Sequence, residues 1–185
     1  MLFGAILTHY PFLEMIEVGN EPDLKTFWAG TAEQYVAFLE EAYKLIKKRS
    51  PGTQVLMAAV SGVDKDHTAT GYFLRLLGLI RGRGFLPDAF AVHEYENPVD
   101  LHCRIEHYRE KARERGISKP FIVTEWGCSR NRAWCLTRGL DLAREAGAAR
   151  VFVFELPGNL AFGLLSRQGK PTSAFWAVQR WAAGN

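Results

Sequence analysis

Cysteine is scarce, with three in 185 residues at Cys103, Cys128 and Cys135. So sparse and odd a set is no disulfide framework. It leaves one bridge, Cys128 to Cys135, as an open option, and with it the choice between a secreted and a cytoplasmic setting. Long apolar runs are also missing: none approaches the roughly 18 residues of a membrane span, so no membrane partner is expected. The start, "MLFGAILTHYPF", is partly apolar but lacks a positive n-region and a small-residue cleavage site, and does not read as a signal peptide. One-signed charge is weak, at +3. The basic clusters "KKR" (47–49), "RGRG" (81–84) and "REKARER" (109–115) carry no interleaved aromatics. They read as solvated helix ends and faces, not as a nucleic-acid footprint. Metal spacing is lacking too. His102 and His107 share a helix face poorly, and Cys128 and Cys135 have no second ligand pair at zinc spacing. The glycines form no phosphate loop. No metal or cofactor is expected.

What is present is a regular beat. Apolar or alternating strands are expected at 14–20 ("EMIEVGN"), 54–60 ("QVLMAAV"), 89–95 ("AFAVHEY"), 121–126 ("FIVTEW") and 151–156 ("VFVFEL"). Their starts lie about 30 to 40 residues apart, the length of one βα unit. Between them, Thr31 and Gln34 form a capping box for a helix with Val36, Leu39, Tyr43 and Ile46 on its buried face. Further helices are expected at about 70–82, 100–115 and 131–146, and from Thr172 onward. Apolar strands alternating with helices imply a parallel sheet covered on at least one face. The expected class is α/β of the (β/α)8 TIM-barrel type, but incomplete, as a single domain over residues 1–185. In that architecture chemistry sits at the C-terminal strand ends. The polar groups gather there: Asn20 and Glu21, Ser61, His93 and Tyr95, Glu125, Glu155.

Two strand-end carboxylates, Glu21 and Glu125, suit glycoside hydrolysis. A retaining enzyme needs one as acid/base and one as nucleophile, about 5–5.5 Å apart. Surface loop carboxylates are the bland alternative, and residue chemistry alone does not separate the two.

The local words add to this. "EVGNEPD" followed about a hundred residues later by "VTEWG" resembles the retaining glycoside hydrolases of the large (β/α)8 clan that includes cellulases, mannanases and β-xylosidases. The resemblance implies Glu21 as acid/base after the fourth strand, Asn20 as binder of the sugar 2-hydroxyl, and Glu125 as nucleophile after the seventh. "AFAVHEY" looks like the clan's sixth strand, with His93 and Tyr95 beside the nucleophile; the two-residue period puts both on one side. "VFVFEL" looks like the eighth strand, and "GLLSRQGKPTSAFWAVQRW" like the closing loop and helix. Trp126 is expected to be either a sugar platform or a packing residue. Glu155 is expected to bind a substrate hydroxyl or to pair with a neighbouring base. Glu17, on the same side of its strand as Glu21, is expected to be a structural carboxylate in need of a cationic partner.

The match covers strands four to eight only, whereas a full barrel typically takes about 250 residues. Five parallel strands leave two open edges. Three readings follow: a fragment, a chain completed by itself or by a missing N-terminal half, or an open relic. The function implied is retaining hydrolysis of β-linked oligo- or polysaccharides. The alternative is a carbohydrate-binding or interaction module without turnover, or an inactive fragment of such a hydrolase.

Overall fold

All five expected strands form, and each is followed by a helix. The computed structural model describes residues 2–61, 68–130, 132–156 and 161–184. Among them the order is α1 (Leu2–His9), β1 (Met15–Val18), α2 (Ala32–Arg49), β2 (Gln54–Met57), α3 (Thr68–Gly82), β3 (Ala89–Tyr95), α4 (Pro98–Arg113), β4 (Phe121–Gly127), α5 (Arg132–Glu145), β5 (Arg150–Val153) and α6 (Ser173–Ala183). The expected start of α5, residue 131, lies outside the described residues. The strands form one sheet in chain order, β1-β2-β3-β4-β5. A parallel sheet in chain order with intervening helices is the pattern of an incomplete (β/α)8 barrel.

The chain divides into two compact units. One comprises Met1–Ala91 and Lys111–Pro120, the other Val92–Glu110 and Phe121–Asn185.

In the first unit, β1 pairs in parallel with β2, Met15 opposite Gln54 and Val18 opposite Met57. β2 pairs with the start of β3, Leu56 opposite Ala89. Val55, Leu56 and Met57 are fully buried, which is why this central strand reads as a continuous apolar run and not as an alternation. Helix α2 starts on a true capping box. Thr31 Oγ1 accepts from the Gln34 N–H at 3.3 Å and Gln34 Oε1 accepts from the Thr31 N–H at 2.8 Å. Its buried face carries Tyr35, Val36, Leu39, Ala42 and Ile46. Tyr43, expected on that face, is only half-buried, beside the ring of Phe85 with centroids 6.1 Å apart. In α3 the expected face of Phe73, Leu76, Leu77 and Ile80 is buried to 1% exposure or less. At about 25 cal/mol per Å² of apolar surface, such faces supply most of the drive to fold.

In the second unit, β4 pairs in parallel with β5. The register runs Ile122 to Arg150 and Val123 to Val151, then jumps to Trp126 opposite Val153. Three steps on β4 answer two on β5, so one extra residue is accommodated at Thr124–Glu125. This bulge breaks the two-residue side-chain alternation of a regular strand. The Cys128–Cys135 disulfide, open in the sequence, is formed and spans the loop from β4 into α5. Helix α6 is tied to α5 by the Trp181 Nε1–H donating to Asp141 Oδ1 at 2.8 Å, with the Arg144 guanidinium 5.5 Å from the Trp181 ring centroid. No helix among the described residues is long and apolar enough to cross a membrane.

Candidate active site

In the first unit the C-terminal ends of β1 and β2 are polar by construction. β1 stops at Val18 because Gly19 adopts φ +100°, a left-handed conformation that a side chain rarely tolerates. A Cβ at Gly19 would also meet the Tyr35 ring at 3.2 Å. Two residues on, Glu21 has φ +35°, unusual for a non-glycine residue. Strained backbone of this kind persists where the surroundings over-determine it, and it clusters at functional sites. Glu21 is 9% exposed, while Asn20 beside it is half-buried.

Three contacts hold this strand end. The Tyr35 hydroxyl donates to Val18 O at 2.9 Å and accepts from the Ala58 N–H at 2.8 Å, so one side chain of α2 joins the tips of β1 and β2. Burial pushes the Tyr35 phenol far above its usual pKa, so the hydroxyl stays a donor. Asp23 clasps Ser61, accepting from its N–H at 3.0 Å and its hydroxyl at 2.6 Å. Glu17 Oε1 accepts from the Ala59 N–H at 3.0 Å, a hydrogen bond that offsets part of the cost of its burial. Tyr35→Phe should lower stability by about 1–3 kcal/mol, because it strands a buried amide and carbonyl; urea unfolding measures it.

In the second unit the structure brings together His93, Tyr95 and Glu125. His93 and Tyr95 sit two apart on β3, on one side of the strand. The Tyr95 hydroxyl donates to Glu125 Oε2. His93, 1% exposed, places Nε2 3.6 Å from Glu125 Oε1. The bulge in β4 sits at Glu125, where such a kink re-aims a side chain. The Glu125 side chain remains 26% exposed.

Tyr95 is held by partners that the sequence did not single out. Its ring packs against Phe154 and Phe162, with centroids 5.8 and 5.3 Å away. Phe162 is anchored in turn, because Arg132 donates to Ala161 O at 3.2 Å and Gly163 O at 2.8 Å. On the opposite side of β3, the buried Glu94 accepts from Arg104 Nε at 2.8 Å and from the Tyr95 N–H at 3.0 Å. Burial pushes the Glu94 carboxyl above the usual range and the neighbouring Arg104 opposes that rise. An alternating strand hides such a pair, because the intervening "E" of "HEY" looks like a surface residue.

Two further expected residues fare differently. Trp126, read as a sugar platform or a packing residue, is 0% exposed. Its Nε1–H donates to Leu136 O at 3.1 Å, and its ring fills the space over Gly139, where a Cβ would lie 2.2 Å away. It is a core residue of the β4–α5 packing and presents no face to a ligand, which corrects its place among the substrate-binding candidates. Glu155 follows β5 across a cis peptide bond from Phe154. Its Oε1 is buried and has no hydrogen-bond partner among the described residues.

No protein-family profile matches the sequence, and no curated protein matches it. Solved structures do. A GH128 (subgroup VI) exo-β-1,3-glucanase from Aureobasidium namibiae superposes with TM-score 0.69 at 16% identity, over 88% of this chain and 66% of that one. A GH128 (subgroup I) endo-β-1,3-glucanase from Amycolatopsis mediterranei, in complex with laminarihexaose, gives 0.69 at 17%, over 90% and 72%. A glucosidase from Croceicoccus marinus gives 0.78 at 15%, over 90% and 40%. The chain thus spans 40 to 72% of the length of these structures. At such identities what is shared is the fold. Over the part it spans, the chain has the (β/α)8 fold of these glycoside hydrolases.

Proposed function

We propose that this chain is the C-terminal-strand part of a hydrolase of β-linked glycans that acts with retention of anomeric configuration, and that both compact units belong to one catalytic domain. The observation that carries the reading is the His93–Tyr95–Glu125 constellation, with a strand bulge at the carboxylate.

Glu125 acts as nucleophile. Its oxygen attacks the anomeric carbon while the bond to the leaving oxygen breaks, and Glu21 gives that oxygen its proton. Glu21 then takes a proton from water, the water attacks the same carbon, and the Glu125 carboxylate is released. The Tyr95 hydroxyl holds the carboxylate in line and steadies its charge. Asn20 binds the sugar 2-hydroxyl, and Glu155 accepts from another substrate hydroxyl. The substrate class is a β-glucan oligosaccharide. The neighbouring endo-glucanase was solved with laminarihexaose, which makes that hexasaccharide the first substrate to offer. β1 and β5 stand at the two ends of the strand order, so a completing segment or a second copy belongs to this reading.

The test is the stereochemistry of the first product. With laminarihexaose, proton NMR should detect the β-anomer first, with the α-anomer appearing only by mutarotation. A 2-deoxy-2-fluoro glucosyl fluoride should become covalently attached to Glu125, as peptide mass spectrometry would show. The α-anomer first, or label on another residue, would overturn the mechanism. Binding of the hexasaccharide with no hydrolysis would identify a carbohydrate-binding module instead.

A further inference from the structure

The second unit holds a cleft of about 450 Å³ lined by Glu96, Ser129, Arg130, Trp134 and Cys135, where the chain leaves β3 and β4. Glu96 follows Tyr95 in the chain, and Ser129 stands four residues past Glu125. Its aromatic residue is Trp134, in the first turn of α5, 58% exposed. A tryptophan ring left open to water beside two charged side chains offers what a sugar ring needs. The C–H face of a β-linked pyranose lies on the indole, and its hydroxyls reach the charges at the rim.

The cleft is built, not incidental. Glu96 is held at φ +68°, a conformation few non-glycine residues adopt. Its backbone N–H donates to Gly127 O at 2.8 Å, and its Oε1 accepts from the Ser129 N–H at 2.9 Å. The carboxylate is thus fixed between the ends of β3 and β4. The Cys128–Cys135 disulfide spans the loop that carries Ser129 and Arg130 and leads into the turn of α5 that carries Trp134. The Cys135 sulfur lies 3.3 Å from Glu96 O. A loop fixed in this way loses less entropy when a ligand docks on it.

We propose that Trp134, with Glu96 and Arg130, forms a binding site for a further neutral sugar unit of an oligosaccharide whose reacting unit sits at Glu125. Trp134 supplies the stacking face, Glu96 accepts from one hydroxyl, and Arg130 donates to another. The proposal rests on the reading of the neighbouring site as one for β-glycans. It goes beyond that reading by assigning a second subsite outside the reacting position.

The test separates the two. Titration with laminarihexaose, followed by calorimetry, compares the wild type with Trp134→Ala and Trp134→Phe. Trp134→Ala should weaken hexasaccharide binding about tenfold. Trp134→Phe, which keeps a smaller stacking face, should weaken it less. Where the wild type hydrolyses the hexasaccharide, KM should rise in Trp134→Ala in the same proportion. Trp134-dependent binding without any hydrolysis would uphold the subsite and defeat the hydrolase reading. Equal binding by Trp134→Ala and the wild type would overturn the subsite whatever the activity, and so would absence of binding by the wild type. Circular dichroism of Trp134→Ala should match the wild type, since more than half of the side chain is already in water.

Discussion

Glu125→Ala should abolish hydrolysis of laminarihexaose, a loss of about 10⁴-fold or more in kcat, while the protein stays folded. The size follows from the role. A nucleophile that forms the glycosyl–enzyme bond has no substitute once its carboxylate is gone. The Tyr95 hydroxyl, which donates to it, cannot attack in its place. Folding should change by only about 1 kcal/mol, because what is lost is the Tyr95 hydrogen bond and the His93 contact of a partly exposed side chain. The Tyr95 ring keeps Phe154 and Phe162 beside it. Added azide gives a sharper readout. In Glu125→Ala it can enter the space of the missing carboxylate and yield the α-glucosyl azide. In Glu21→Ala, where the covalent intermediate still forms, it should yield the β-azide. Activity of Glu125→Ala at the wild-type level would remove Glu125 from the mechanism. The same azide anomer from both variants would remove the division of roles.

The second large effect is on stability. Trp126→Ala should cost about 3–5 kcal/mol, measured as the shift of the urea midpoint, and should act on sugar binding only through unfolding. The side chain is fully buried and its indole N–H is spent on Leu136 O. Truncation opens a cavity against α5 and removes the indole hydrogen bond to Leu136 O. Gly139→Ala supplies a check of sign. Helix propensity alone would make alanine better by about 1 kcal/mol. A Cβ there would lie 2.2 Å from the Trp126 ring, so the substitution should instead destabilise by about 1–3 kcal/mol. If Gly139→Ala raised the midpoint, the Trp126 packing described above would be wrong.

Trp126 also shows where sequence reading stops. "TEW" places an acidic residue and an aromatic side by side at a strand end, and from the letters either could face a ligand. The bulge at Thr124–Glu125 resets which way the following side chain points, and Trp126 turns to the helix layer. A bulge depends on the register of the partner strand, which no local pattern encodes. The Asp23–Ser61 clasp and the Phe154–Phe162 support of Tyr95 are invisible for the same reason. Each joins residues far apart in sequence, and only the folded chain makes them neighbours.

The sequence by itself determined the α/β class, the order of strands and helices, and the strand-end positions of Asn20, Glu21, His93, Tyr95, Glu125 and Glu155. These follow from hydrophobic period and capping chemistry, which act over a few residues: the Thr31–Gln34 box, the α3 stripe from Phe73 to Ile80, and the unbroken apolar run of β2. Only the tertiary structure decided which strand-end groups touch, that Trp126 is core, that Cys128 and Cys135 are bonded, and that Trp134 stands open beside Glu96 and Arg130. Those are matters of register, packing and distance between segments. Their free energies come from side-chain burial, hydrogen bonds and one disulfide formed as the chain closes, and a local pattern does not encode them even where, as with Cys128 and Cys135, the partners stand only seven residues apart.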